Sequence, residues 1–280
     1  MRQKIYIRLI VFSFFFVFFY DSAQAQAQIV YRKTVFKDEF NKPEGAPVDA
    51  SKWTAEIGGG GWGNQELQYY TDSIENAYHD GQGSLVIKAI KLAPPLNLTC
   101  WYGQCQYISA RLITKGKFDQ KYGKFEARIK IPRGQGIWSA FWMLGNNIDK
   151  VGWAMCGEID VLENIGREPS RAYGTVHGPG YSGANGIGGF YALTNNQKLA
   201  DDFHVYATEW SEDKIAFYVD GNLYKTVTPQ NLPPGKVWVY DHSFFMILNL
   251  AVGGPWGGAP DATTVFPQMM LIDYVRVYSR

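Results

Sequence analysis

Residues Phe244 to Val252 read Phe-Phe-Met-Ile-Leu-Asn-Leu-Ala-Val, an apolar run in which Asn249 is the single polar side chain. A run of this length is what a strand buried on both faces requires. Other stretches show period two. Gly123-Lys124-Phe125-Glu126-Ala127-Arg128-Ile129-Lys130-Ile131 alternates charged and apolar residues and stops at Pro132. Lys214 to Val219 and Leu223 to Val227 flank Asp220-Gly221-Asn222, a hairpin signal. Ser84 to Ile90 follows the turn Asp80-Gly81-Gln82-Gly83, and Leu271 to Tyr278 closes the chain as a further strand. Helical periodicity sustained over about ten residues is hard to find; only Asn196 to Asp202 hints at a short turn. Many short strands separated by Gly- and Pro-rich turns predict an all-β protein built as a sandwich.

The chain has 280 residues, room for one large all-β domain or two small ones. No internal repeat or low-complexity linker divides it after the N-terminus, so 28–280 reads as one domain. The net charge of +1, without a basic block, excludes nucleic acid as a natural partner, because phosphate binding needs clustered Lys and Arg. Nine Trp and eighteen Tyr exceed what core packing asks for and suit a protein that stacks the flat apolar faces of sugar rings.

Residues 1–27 read as a secretion signal. Arg2, Lys4 and Arg8 precede the apolar run Leu9 to Tyr20, and Ala23, Ala25 and Ala27 offer small-residue cleavage sites. The mature chain would begin near Gln26 or Gln28. A membrane span needs ~20 apolar residues, so no stable membrane anchor is expected; an uncleaved N-terminal anchor is the alternative. The expected location is extracellular or periplasmic.

Cys100 and Cys105 flank Trp101-Tyr102-Gly103-Gln104, the spacing of a small disulfide loop in an oxidising compartment; two unpaired thiols are the alternative. Cys156 lies two residues before Glu158 and by alternation would share its face, as a small packed residue beside the acids. Gly58, Gly60 and Gly63 satisfy G-x-G-x-x-G, but no strand–helix unit follows, so a turned loop fits better than a nucleotide site. Gly183 to Gly189 is a second glycine-rich loop, and both loops could rim a groove.

The chemistry is concentrated in Glu158-Ile159-Asp160-Val161-Leu162-Glu163. On a strand Glu158 and Asp160 share a face, while strict alternation turns Glu163 to the other. One extra residue at Val161-Leu162, a β-bulge, returns Glu163 to the first face. Three acids on one face raise one another's proton affinity, a cost usually tolerated where acids do chemistry. Surface acids that discourage edge pairing are the competing explanation.

Gly157-Glu158-Ile159-Asp160-Val161-Leu162-Glu163-Asn164 resembles the signature of glycoside hydrolase family 16. Its E-x-D-x-x-E spacing looks like that of the laminarinase-type endo-β-1,3-glucanases, whereas lichenase-type members carry E-x-D-x-E. Trp62-Gly63-Asn64-Gln65-Glu66-Leu67-Gln68-Tyr69-Tyr70, Ser109 to Gly116, Gly134 to Gly145, Gly174 to Gly178, Phe203 to Trp210 and Asp273 to Tyr278 are similar to further family segments, so the resemblance spans roughly 34–280. The segment Cys100 to Gln106 departs from it and puts chain-length preference in doubt.

The resemblance implies a β-jelly-roll sandwich of two antiparallel sheets with a concave substrate cleft. It implies Glu158 as nucleophile, Glu163 as general acid/base and Asp160 as the assisting carboxylate, in a retaining endo-β-1,3-glucanase. The rival readings are a broader β-1,3-1,4-glucanase, a transglycosylase and a non-catalytic β-glucan-binding protein. The implied partner is a laminarin-like β-glucan, met by a monomer that needs no cofactor for catalysis. Some members bind a structural calcium away from the cleft, and Glu39, the Gly81 region and Asp273 resemble its ligand positions; without the ion, Asp273 would be a paired acid.

Trp138 and Trp142, at i and i+4, share one strand face on which a sugar could stack, unless they pack in the core. Trp62, Asn64 and Glu66 are rim candidates, with a structural role the alternative for Glu66. Arg111 is a donor to sugar hydroxyls or half of a salt bridge, and His177 is a cleft candidate through its motif. His204 reads as structural, Trp256 as a groove cap, and Asn249 as either a bonded core group or a cleft residue.

Overall fold

The computed structural model describes Met1, Tyr31 and residues 33–94, 96–195 and 197–280. The expected signal segment 1–27 therefore lies, Met1 aside, outside the described residues. Among those residues no helix is long and apolar enough to cross a membrane.

The body Tyr31–Arg280 is the expected β-jelly-roll sandwich, formed by a ten-stranded sheet and a seven-stranded sheet. The seven-stranded sheet runs in the order Ile187–Ala192, Arg171–His177, Glu158–Ile165, Ile137–Gly145, Phe244–Val252, Arg111–Ile113 and Thr54–Ala55. The larger sheet is centred on Gly123–Lys130, which lies between His204–Ser211 and Gln268–Ser279. Among the described residues ladder pairs are antiparallel, with one parallel exception, Gln68–Tyr70 beside Tyr107–Ser109. A third, two-stranded piece, Thr99–Cys100 with Gly103–Gln104, belongs to neither sheet. A one-turn helix, Ile148–Val151, is too short to carry a helical period in the sequence.

Phe244–Val252 explains its own composition. Phe244, Met246, Leu248, Leu250 and Val252 enter the core between the sheets. Phe245 and Ile247 point the other way into a second cluster with Ile113, Leu144 and Cys156, and Asn249 on that same face opens into a groove. The neighbouring strand repeats the division: Ile137, Phe141 and Met143 go to the core, while Trp138, Ala140, Trp142 and Leu144 line the groove.

Candidate active site

The bulge sits at the expected residues. Phe141 pairs with Leu162 and Trp142 with Asp160, so Val161 has no partner on the Ile137–Gly145 strand. On the other side Asp160 pairs with Thr175 and Glu163 with Tyr173, leaving Val161 and Leu162 opposite Gly174 alone. Both extra side chains, with Ile159, pack in the core, and Glu158, Asp160 and Glu163 line the groove. Opposite the bulge there is no room for a side chain. A Cβ on Gly174 would collide with Tyr224 Oη and sit 2.7 Å from a Phe217 ring carbon.

The groove, about 770 Å³, crosses the outer face of the seven-stranded sheet and brings the expected residues together. Trp62, Asn64, Glu66, Arg111, Trp138, Trp142 and His177 all line it, as do Asn249 and Trp256. Both glycine-rich loops reach its rim, through Gly63 and through Gly183 and Gly186.

Each glutamate receives one indole hydrogen bond. Trp138 Nε1 donates to Glu163 Oε1 at 3.1 Å, and Trp153 Nε1 donates to Glu158 Oε2 at 2.7 Å. His177 Nε2 lies 3.1 Å from Asp160 Oδ2 and 3.7 Å from Glu158 Oε1. Burial pushes the Glu158 carboxyl up to about 8, with Asp160 adding to the rise and His177 and the Trp153 N–H opposing it. Burial also raises Asp160. Glu163 is held well above the ordinary carboxylate range, first by burial and then by the negative charge of Asp160 and Glu158.

A hydrogen-bonded chain ties the groove floor to the N-terminal loop. Trp142 Nε1 donates to Asn249 Oδ1 at 2.7 Å, and Asn249 Nδ2 donates to Tyr70 Oη at 3.0 Å. The Tyr70 hydroxyl and Gln68 Nε2 both donate to Glu66 Oε2, at 3.1 and 2.6 Å. Asn249 and Glu66 thus each face the groove and knit the structure behind it. Arg111 is also dual: its Nε donates to the Glu56 carboxylate, while its guanidinium lies 4.9 Å from the Trp62 ring centre and 4.8 Å from that of Trp142. Trp256 stands edge-on to Trp138 at 5.3 Å and to Tyr173 at 5.1 Å. His204 hydrogen-bonds Asp220, away from the groove.

Cys156 is, as expected, a small packed residue on the side of the sheet that carries the acids, since the cluster it joins with Leu144, Phe245 and Ile247 lies on the face that opens into the groove. The thiol is buried in the second apolar cluster, where burial raises its pKa to about 11. Cys100 and Cys105 are joined as a disulfide.

The two acids named for calcium are each engaged by an arginine. Both Glu39 oxygens accept from Arg276, at 2.9 and 2.7 Å, and Asp273 Oδ2 accepts from Arg128 at 2.6 Å. Among the described residues the His, Cys, Asp and Glu side chains grouped closely enough to hold a metal are Glu158, Asp160 and His177, and neither Glu39 nor Asp273 is among them. Asp273 is the paired acid of the alternative reading.

Trp153, Tyr173, Thr175, Leu144 and Ile148 also line the groove and were not expected there. Tyr173 and Thr175 share strand parity with His177, so alternation from that residue could have found them. Leu144 has the parity of Trp138 and Trp142. Trp153 precedes the acid strand in a loop, where no periodicity points to it.

The family model described as glycosyl hydrolases family 16 matches residues 60–276. A beta-glucanase of Rhodothermus marinus is 41% identical, over 87% of this chain and 84% of its own. Glucan endo-1,3-beta-glucosidase A1 of Niallia circulans is 40% identical over 87% of this chain, which spans 37% of that longer protein. The crystal structure of the laminarinase catalytic domain of Thermotoga maritima MSB8 superposes with a TM-score of 0.82 at 49% identity, covering 89% of this chain and 98% of that one. With these matches over a groove floored by three carboxyl groups, the chain belongs to glycosyl hydrolases family 16 and is a glycoside hydrolase.

Proposed function

We propose that the protein is a secreted, laminarinase-like endo-β-1,3-glucanase that cleaves by double displacement with retention. The observation that carries this reading is the bulge at Val161-Leu162 opposite Gly174, which sets Glu158, Asp160 and Glu163 along one groove. The names of the β-1,3-glucanase and laminarinase relatives support the linkage. The Cys100–Cys105 disulfide and the signal-like N-terminus support export.

Retention requires one carboxylate to attack the anomeric carbon and one carboxylic acid to protonate the leaving oxygen, with the two groups about 5–5.5 Å apart. Three adjoining buried acids cannot all ionise, and the surroundings determine which does. Glu158 has an indole N–H and His177 beside it, both of which favour its anion. Glu163 faces the charge of both other acids and keeps its proton longest. Glu158 is therefore the nucleophile. Glu163 delivers its proton to the glycosidic oxygen and then, as a carboxylate, takes one from the water that hydrolyses the glycosyl ester. Asp160, beside Glu158 and His177, tunes the pair. Trp138 and Trp142 offer faces for sugar rings along the floor.

The test is reducing-sugar release from laminarin by the pure protein, with the anomer of the first product followed by NMR. Release of the β-anomer first supports the proposal. Initial α-anomer overturns retention, and binding without release leaves a glucan-binding protein. Faster release from mixed-linkage β-1,3-1,4-glucan than from laminarin overturns the linkage preference.

A further inference from the structure

The hairpin Thr99–Cys100/Gly103–Gln104 pairs with neither main sheet, yet it is closed by a disulfide and both its cysteines are buried. Besides accepting from the Gln106 amide at Tyr102 Oη, at 3.1 Å, its tip makes its polar contacts with one segment. The Trp101 amide donates to the Gly59 carbonyl at 2.8 Å, Trp101 Nε1 donates to the Glu66 carbonyl at 2.8 Å, and the Tyr102 hydroxyl donates to the Leu67 carbonyl at 2.6 Å. The approach is close: a Cβ on Gly59 would sit 2.7 Å from Cys100 Sγ.

That segment is the groove wall carrying Trp62, Asn64 and Glu66. It has little regular structure of its own, and both Trp62 and Gln65 occupy the left-handed region, at φ 51° and 50°. Non-glycine residues in that region persist only where surrounding contacts over-determine them. Trp101 supplies such contacts while 50% exposed, so burial does not account for its placement; its N–H groups do.

We propose that the disulfide-closed hairpin is a positioning element: Trp101 and Tyr102 hold the 58–67 loop in its groove-lining conformation and thereby set the affinity of that wall for a sugar chain. The hairpin acts through Trp62, Asn64 and Glu66, not on the carboxyl groups. As stated for a glucan, the inference rests on the proposed function.

The test compares the wild-type chain with Trp101→Phe, which removes one N–H, Tyr102→Phe, which removes one hydroxyl, and the double variant Cys100→Ser/Cys105→Ser. One net hydrogen bond corresponds to about 2–10-fold in an equilibrium. Each aromatic variant is expected to raise KM on laminarin by about that factor, and the double variant by more, with kcat within about twofold. Amide exchange of residues 58–67 without substrate is expected to quicken in all three. Unchanged exchange overturns the proposal whatever the substrate is. Quickened exchange with unchanged KM, or with a fall in kcat alone, overturns the link to affinity. Laminarin left uncut by wild type defeats the functional reading, while the exchange measurement still decides the positioning role.

Discussion

The indole N–H of Trp153 donates to Glu158 Oε2 at 2.7 Å from a side chain that is itself 53% exposed. Tryptophan at this position does more than present a ring, because its donor favours the ionised form of the group assigned to attack. Replacing it with Phe keeps the ring and removes the donor. Glu158 then holds its proton to higher pH, and the acidic limb of the kcat/KM profile moves up. An exposed donor is partly replaced by water, so the expected loss at the acidic end is about threefold more than at the optimum, the equivalent of half a pKa. An unmoved or lowered acidic limb in Trp153→Phe would remove this hydrogen bond from the mechanism.

Much of this arrangement was legible because a strand pattern can be read locally. Phe244–Val252 has the bounds of its apolar run, and Gly123–Lys130 ends within a residue of its alternation. The bulge was legible because three acids in six residues make sense on one face only if one position is skipped. Trp153 was not, since it lies in a loop whose path depends on contacts distant in sequence. For Glu39 and Asp273 the sequence shows an acid without its partner, and in the fold that partner is Arg276 for one and Arg128 for the other.

Glu158→Gln separates chemistry from stability. Loss of the nucleophile is expected to lower kcat by about 10³-fold or more. The folded carboxyl releases its proton near 8 and an ordinary glutamate near 4.5, so between these values the folded state holds more protons than the unfolded one. Stability then falls as pH rises through that window. A neutral Gln escapes the penalty. The Tm advantage of Glu158→Gln over wild type should therefore grow from pH 4.5 to pH 8; an advantage that is constant or shrinks would mean that burial does not hold the proton on Glu158.

Gly174 tests the bulge from its other side. Two core residues on the acid strand stand opposite it, and Tyr224 and Phe217 fill the space a methyl group would take. Gly174→Ala forces those rings or the bulge to move, at a cost of about 1–3 kcal/mol. Thermal unfolding should show a lower Tm, with kcat reduced in the fraction that remains folded because Glu163 shifts with the bulge. Wild-type Tm and activity together would show that the site tolerates displacement of its opposing strand.

Trp138 presents its ring to the groove and its N–H to Glu163, and it lies outside the core between the sheets. Removing the ring costs a sugar its stacking surface, about 0.5–1.5 kcal/mol beyond area burial for aromatic contacts. Trp138→Ala is expected to raise KM on laminarin by about 3–10-fold while lowering Tm little. In Trp138→Phe a ring remains, but Glu163 loses the donor that favours its anion, so the acid keeps its proton to higher pH. The alkaline limb of kcat/KM should move up in this variant. A fall in Tm with unchanged KM in Trp138→Ala would place the ring in the packing and not in the binding surface.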